Sequence, residues 1–508
     1  MSRMKYVSLN FSASIINYLV LLVLKVIIRS TILETLGSQY LGIDGLFANI
    51  LSVLGLAELG IGSAIIFNLY KPIAENDYSS IQKYMNFYKK AYQVIALVVT
   101  CIGLLLLPFL NVLIKDDLSF INEKLIFILY LLQSVSSYAF FAYKGSLLRA
   151  HQKEYIITII GTIVNIVSNI IQIICLIIFR KFEIYVFITV ISNIIQNICI
   201  SKYSDKLYSV DILNDKNKIL SNSEKKDIFK NCYSIFIYKI NGVVVKVTDN
   251  IVLAKFIGLS TVGIYSNYTL IFSTFQNILI KLFGAMSASI GNLHTEGNVK
   301  HEKLVFRAIN FFSSWISGTF SVWFICVVNN LISVLFGTSY LLGKFTVILI
   351  AIEIYMYGIM KPSDVFRTSM GLFQEAKYRP ILCTVINLIL SIWLVGSMGI
   401  NGVIIGTILA NTLTYVWLDP YIIYNKVFKT SVKEYYFTNL KYIFITLLAC
   451  IISIKLVSYL NYLGVVALIL KSLISLAITN LLYFLSYHKS DEFKYLLKLI
   501  YSFVSKKR

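Results

Sequence analysis

The stretch 246–271, KVTDNIVLAKFIGLSTVGIYSNYTLI, is an apolar run suited to lipid, yet Lys246, Asp249 and Lys255 interrupt it. Lys239 interrupts the same run just upstream. A charge near the bilayer centre costs at least ~2.5 kcal/mol on insertion scales, so the pattern needs a reason. Part of the reason lies 221 residues earlier, where residues 25–50 read KVIIRSTILETLGSQYLGIDGLFANI. Lys25 meets Lys246, Val26 meets Val247, Gly37 meets Gly258, Gly42 meets Gly263, Ile43 meets Ile264 and Ile50 meets Ile271. At an offset of 222, residues 152–170 fall on 374–392, with Gln152 on Gln374, Thr162 on Thr384 and Asn165 on Asn387. Two regions sharing nearly one offset indicate duplication of a six-span unit. An even number of spans makes the repeat parallel, with its pseudo-twofold along the membrane normal.

Composition fixes the class. Hydrophobic residues make up 57% of the chain and charged residues 14%, against about 25% charged in a soluble domain. The net charge of +21 suits Lys- and Arg-rich cytoplasmic loops, so nucleic acid is not an expected partner. The seven cysteines form no C-x-x-C pair, and the four histidines have no ligand spacing. No metal site and no disulfide are expected. The N-terminal apolar run lacks a small-residue cleavage site and reads as a first helix rather than a signal peptide.

About fourteen stretches are long enough to cross a bilayer: 9–31, 40–70, 90–114, 124–149, 155–178, 182–202, 231–257, 260–289, 304–333, 341–366, 378–397, 400–424, 436–458 and 463–486. With the N-terminus inside, cytoplasmic loops collect roughly thirty cationic residues and outside loops about five, a strong positive-inside bias. Both termini are therefore expected in the cytoplasm. The expected fold is an all-α integral membrane protein with two pseudo-twofold-related six-helix lobes and two C-terminal helices. Its parts are an N-lobe 1–203, a cytoplasmic loop 204–230, a C-lobe 231–428, peripheral helices 429–487 and a basic amphipathic tail 488–508. In the tail, Ser490 followed by Asp491 and Glu492 is a helix-start signal.

The intramembrane charges are the candidate site. Lys239 and Lys246 are seven apart, and Lys25 and Arg29 four apart, so each pair shares a helix face. Such one-sided stripes point into a cavity, because lipid exposure is costly. Lys144 joins them as a cavity cation. Asp249, three residues from Lys246, can pair with it. Glu58 and Lys281 are candidates for an internal ion pair between the second and eighth spans. Glu353, mid-span in the tenth helix, is the candidate proton or sodium site. A cationic cavity suits an anionic cargo such as a phosphate or pyrophosphate group. No G-x-x-x-x-G-K-[ST] loop is present, so a gradient or membrane potential rather than ATP would drive transport, with no cofactor.

Three segments carry a family likeness. They are LAELGIGSAIIFNLYKPIAENDYSSIQKYMNFYKKAY (56–92), TDNIVLAKFIGLSTVGIYSNYTLI (248–271) and GLFQEAKYRPILCTVINLILSIWLVGSMGINGVIIGTILANTLTYVWLDPYIIYNKVFK (371–429). The chain resembles the Wzx-type oligosaccharide flippases, in the superfamily that also holds multidrug and toxin extruders (MATE) and lipid II flippases. The resemblance implies two lobes alternating between inward and outward openings in the bacterial cytoplasmic membrane. It implies undecaprenyl-pyrophosphate-linked oligosaccharide as cargo, in capsule or exopolysaccharide synthesis, with a polysaccharide polymerase and assembly proteins as partners beside the membrane lipids. It implies basic cavity residues on the first and seventh helices, positions held here by Lys25, Arg29, Lys239 and Lys246.

Three rivals are weaker. A drug or cation extruder of the same fold favours buried carboxylates, the reverse of this chain. A membrane polymerase or glycosyltransferase needs a large outside loop with catalytic groups, and outside loops here do not exceed about 12 residues. A scaffold without transport has no use for paired intramembrane lysines. The chain is therefore expected to be a transporter and not an enzyme.

Overall fold

A computed structural model describes residues 3–58, 61–110, 122–207, 219–226, 228, 247–295, 298–372, 374–460 and 464–505. The described residues are mostly helical and include no strand. Eleven helices among them are long and apolar enough to cross a membrane, or twelve if one bent pair counts as a span. That pair, Glu123–Ala139 and Ala142–Ala150, turns by 47°. The fold is that of a multi-pass membrane protein. Its helices keep long apolar faces uncovered: Ile159, Ile163, Val167, Ile170, Ile174 and Ile177, three or four apart, are all exposed. Such stripes are stable only against lipid or a partner.

Two of the fourteen expected spans are described only in part. The span at 40–70 shows α-helix over Ser38–Leu54, a 3-10 turn over Gly55–Glu58 and α-helix over Ile61–Ala74, with 59–60 outside the described residues. The span at 231–257 lies mostly outside the described residues; only 247–256 is seen, as helix.

Contacts divide the chain into Met1–Gly263 and Ile264–Arg508. The first unit holds α1 (Arg3–Thr35), α2 (Ser38–Leu54), α3 (Ile61–Ala74), α4 (Tyr78–Leu106), α5 (Glu123–Ala139), α6 (Gly145–Ala150), α7 (Glu154–Phe179) and α8 (Phe182–Leu207). It also takes in the helical stretch 247–256 and the start of α9 (Leu259–Thr295). Helices α1 and α7 are joined by polar side chains: Tyr155 N donates to Asn10 Oδ1 at 2.7 Å, and Thr162 Oγ1 donates to Asn17 Oδ1 at 2.8 Å.

The repeat read from the sequence is also a repeat of backbone. Gly37, with φ 97°, follows α1, and its N–H bonds to Ile32 O at 3.0 Å. Gly258, with φ 125°, follows the stretch 247–256, and its N–H bonds to Leu253 O at 3.1 Å. Both donors and both acceptors are 221 apart. These positive-φ helix ends favour glycine, because L side chains rarely adopt that backbone conformation. The two helices that follow, α2 and α9, then touch each other at their starts. A Cβ on Gly42 would lie 2.1 Å from Leu259 O, and a Cβ on Gly263 would lie 2.0 Å from Ser38 O. The Ser38 and Ser260 hydroxyls bond across this contact at 2.8 Å.

The second unit is organised on α10 (Val299–Phe336). Against it pack α11 (Lys344–Ser369), α14 (Lys433–Val457) and α15 (Val465–Tyr487). Helix α12 (Arg379–Met398) pairs with α13 (Ile400–Phe428). Small residues set the close approaches. A Cβ on Gly358 would lie 1.7 Å from Ser317 Oγ, and one on Gly318 would lie 2.7 Å from Thr446 Oγ1. Trp315 and Trp323 tie α15 to α10 through Asn480 at 2.9 Å and Ser472 at 3.1 Å.

The tail forms helix α16, Asp491–Ser505, capped where Phe493 N donates to Ser490 Oγ at 3.2 Å. Its first turn is docked. Phe493 is buried with Phe311, Tyr442 and Tyr483, and Arg307 bonds Glu492. Lys303 joins the same end through Glu434 at 2.6 Å.

Candidate functional site

The sequence-predicted charges fall into three physical situations. Lys25 is exposed. Helix α1 presents a stripe of exposed apolar residues, Ile16, Leu19, Val23 and Ile27. At 3.6 residues per turn, Lys25 stands on the opposite face. The helix thus separates a lipid-suited face from a face that carries an accessible ammonium.

Two other predicted cations have surroundings that can be named. Arg29, expected in the cavity, is only 8% exposed. It lies within the field of Asp44 and Tyr185, and the Tyr130 hydroxyl donates to the same Asp44. A buried guanidinium in the field of a carboxylate is stabilised where it stands. Lys144, also expected in the cavity, donates to both carboxylate oxygens of Asp205, at 2.7 and 2.6 Å. It sits just after the bend in the fourth span, where Phe141 takes a left-handed φ of 56°. The pair joins that bend to the end of α8.

Glu58 belongs to the first unit and Lys281, exposed on α9, to the second. Within the first unit the Tyr92 hydroxyl donates to Glu58 Oε1, and the Tyr88 hydroxyl donates to Tyr92 at 2.6 Å. Glu58 closes the Gly55–Glu58 turn between α2 and α3. Irregular backbone at membrane depth persists only where protein buries it or it lines a cavity. Glu353 is half-buried in the middle of α11, and Asp249 is half-buried in the stretch 247–256. Lys239 and Lys246 lie outside the described residues.

The largest charge cluster among the described residues was not foreseen. Asp419 of α13 is 1% exposed and meets Arg367 of α11 at 3.3 Å and Arg379 of α12. Asp364 meets Arg367 at 3.2 Å, Lys361 at 3.5 Å and Arg379 at 3.9 Å. The Arg379 guanidinium also lies 3.9 Å over the Tyr415 ring. Arg367 and Arg379 read in sequence as loop charges. The available signal was Asp419 itself, an acid inside an apolar span, followed by Pro420. Two π turns, Thr412–Val416 and Tyr424–Phe428, flank this acid and change the helix face around it.

No protein-family model and no curated protein matches the chain. Solved structures do. The chain superposes on a structure described as lipid II flippase MurJ in an inward closed conformation, with a TM-score of 0.65, 14% identity, and coverage of 94% of this chain and 99% of that one. It superposes on the inward-facing conformation of a multidrug resistance MATE family transporter of the MOP superfamily, with a TM-score of 0.63, 15% identity, and coverage of 81% and 96%. The chain has the MATE-type fold. The Vibrio cholerae MATE transporter VcmN, as a point mutant, shares it with a TM-score of 0.53 and 14% identity over 84% of this chain and 98% of that one. Among the described residues, an exposed cation on the first helix and a hydrogen-bonded carboxylate at the Gly55–Glu58 turn are features with ligand chemistry. Lys25 can hold an anion as a mobile point charge.

Proposed function

We propose that the chain moves a lipid-linked anionic cargo across the membrane by alternating access. The specific cargo is undecaprenyl-pyrophosphate-linked oligosaccharide, flipped from the inner to the outer leaflet of the bacterial cytoplasmic membrane for capsule or exopolysaccharide synthesis. A polysaccharide polymerase and assembly proteins are its partners. The observation that carries the reading is Lys25, exposed on the face of α1 opposite its apolar stripe. A lysine held at membrane depth away from lipid marks a polar path. Its charge suits a pyrophosphate, which it can bind and release without the fixed fork of an arginine. The MATE-type fold supports the transporter class, and one chain with this fold is described as a lipid II flippase. Catalysis has no part in this reading.

The test is flipping of a fluorescent lipid-linked oligosaccharide by the full chain in proteoliposomes. The proposal expects transfer between leaflets well above protein-free vesicles. Equal rates contradict it.

One observation favours a second reading, an ion-coupled multidrug exporter: the likeness to MATE transporter structures. Efflux of cationic dyes from the same vesicles, with no flipping of the oligosaccharide lipid, would favour that exporter.

A further inference from the structure

Hydrogen bonds fix which faces of α1, α7 and α8 look at one another. Asn10 and Asn17 of α1 meet Tyr155 and Thr162 of α7, both at an offset of 145, so the two helices run side by side in register. Helix α8 lies on a neighbouring face of α7. Gln172 Nε2 donates to Tyr185 O at 3.0 Å and to Thr189 Oγ1 at 2.7 Å, and a Cβ on Gly161 would lie 3.2 Å from Gln196 Nε2. At 3.6 residues per turn, Asn165 and Asn169 fall between the Thr162 face and the Gly161–Gln172 face. They stand on the wedge between α1 and α8. Tyr18 and Lys25, seven apart, share one face of α1. That face lies between the side of Asn17 and the side where Arg29 feels Tyr185 of α8. Asn193 is three residues from Gln196 and four from Thr189, so it shares the face of α8 turned to α7.

The wedge is polar and open. Tyr18, Asn165, Asn169 and Asn193 are half-buried, and Lys25 is exposed. The lipid-suited face of α7 lies opposite, at Ile163, Val167, Ile170 and Ile174. Polar residues that keep accessible surface on the side away from lipid border a crevice. The register also sets heights. Adding 145 places Tyr18 beside residue 163 and Lys25 beside residue 170. Asn165 is thus level with Tyr18, and Gln196 beside Gly161 puts Asn193 near the same height. Lys25 stands about 10 Å farther along, with Asn169 beside it.

We propose that Tyr18, Asn165 and Asn193 form a saccharide subsite, which takes the first hydroxyl-rich sugar of the cargo while Lys25 holds the pyrophosphate. The inference rests on the lipid-linked cargo reading. A carboxamide offers an acceptor oxygen and two N–H donors, the complement of neighbouring sugar hydroxyls. Asn165 spends one N–H on Gly161 O at 2.7 Å, and Asn169 spends one on Asn165 O at 2.6 Å, which orients both amides on their helix. The Tyr18 ring supplies a flat apolar face and its hydroxyl a polar tip, the two characters that a sugar ring combines. All three side chains are uncharged, and uncharged hydrogen bonds are individually weak enough to release within a transport cycle.

The test is binding of two probes by the full chain, followed by native mass spectrometry: undecaprenyl pyrophosphate and undecaprenyl-pyrophosphate-linked glucose. The unmutated chain holds the glucosyl lipid more tightly. N165A, N193A and Y18A each lose roughly two- to tenfold in affinity for the glucosyl lipid and keep the affinity for the sugar-free lipid. K25A weakens both probes alike. Retained binding of the sugar-free lipid shows that a variant is folded. Where one variant binds neither probe, the other two carry the comparison, since the three residues lie on three helices. Variants that keep the full preference for the glucosyl lipid overturn the subsite, as does an unmutated chain that holds both probes equally. Either result leaves the flippase reading intact. An unmutated chain that holds neither probe overturns the lipid-linked cargo and the subsite with it.

Discussion

Gly42 and Gly263 each pack against the carbonyl that begins the other's helix, Leu259 O and Ser38 O respectively. The exchange is reciprocal because Ser38 and Leu259, like the two glycines, are 221 residues apart. Duplicated segments meeting in this way form a matched junction with room for hydrogen only. Substituting either glycine by valine inserts side-chain volume against backbone, at a cost of about 1–3 kcal/mol each. Thermal melting of the purified chain checks this, and an unchanged melting temperature contradicts the contact.

The same junction offers a lock. Ser38 and Ser260 are hydrogen-bonded at 2.8 Å, so the S38C/S260C variant is expected to cross-link under mild oxidation. If α2 and α9 part during transport, the oxidised variant stops flipping and recovers on reduction. Full flipping in the oxidised state shows instead that the junction stays closed throughout the cycle.

Asp419 holds two buried guanidinium groups, Arg367 and Arg379. Removing one partner of a buried ion pair costs about 3–5 kcal/mol, because charge is left uncompensated. D419N is therefore expected to melt well below the native chain. D364N, at a carboxylate 20% exposed, is expected to lose less.

Asp77 caps α4, accepting from Ser80 N at 3.1 Å. The Ser80 side chain, then its N–H, hold this exposed carboxyl below its ordinary value. The cap's contribution is complete above the ordinary carboxylate range and fades as pH falls through the lowered value. Protection of the 78–82 amides, taken relative to their intrinsic exchange rate, should fall in acid in the native chain. D77N, which caps without titrating, should show no such fall.

Much of this was legible in the sequence, and the rest was not for identifiable reasons. Gly37 and Gly258 were legible as matched positions of the repeat, because a positive-φ residue is a local demand that glycine meets. Ser490 announced α16 in the same way. Apolar length placed most spans, since bilayer thickness is a fixed ruler. The break at Gly55–Glu58 was hidden inside a continuous apolar run, where length alone sees one helix. Partner choice was hidden too. Lys144 and Asp205 lie 61 residues apart, and Arg367, Arg379 and Asp419 lie on three different helices. Periodicity gives a residue's face on its own helix, not what stands opposite. Positive-inside counting also treats every terminal arginine as loop charge, which concealed Arg367 and Arg379.

The central claim is that Lys25 is the accessible cation that meets the cargo's anionic group, while Arg29 serves the fold. The measurement is flipping of lipid-linked oligosaccharide in proteoliposomes by K25A, K25E and K25R beside the native chain. A lost charge-assisted contact is worth about 1.5–3 kcal/mol, so K25A should slow flipping roughly ten- to hundredfold. K25E should abolish it, and K25R should retain most of it. Native flipping by K25E would contradict the account.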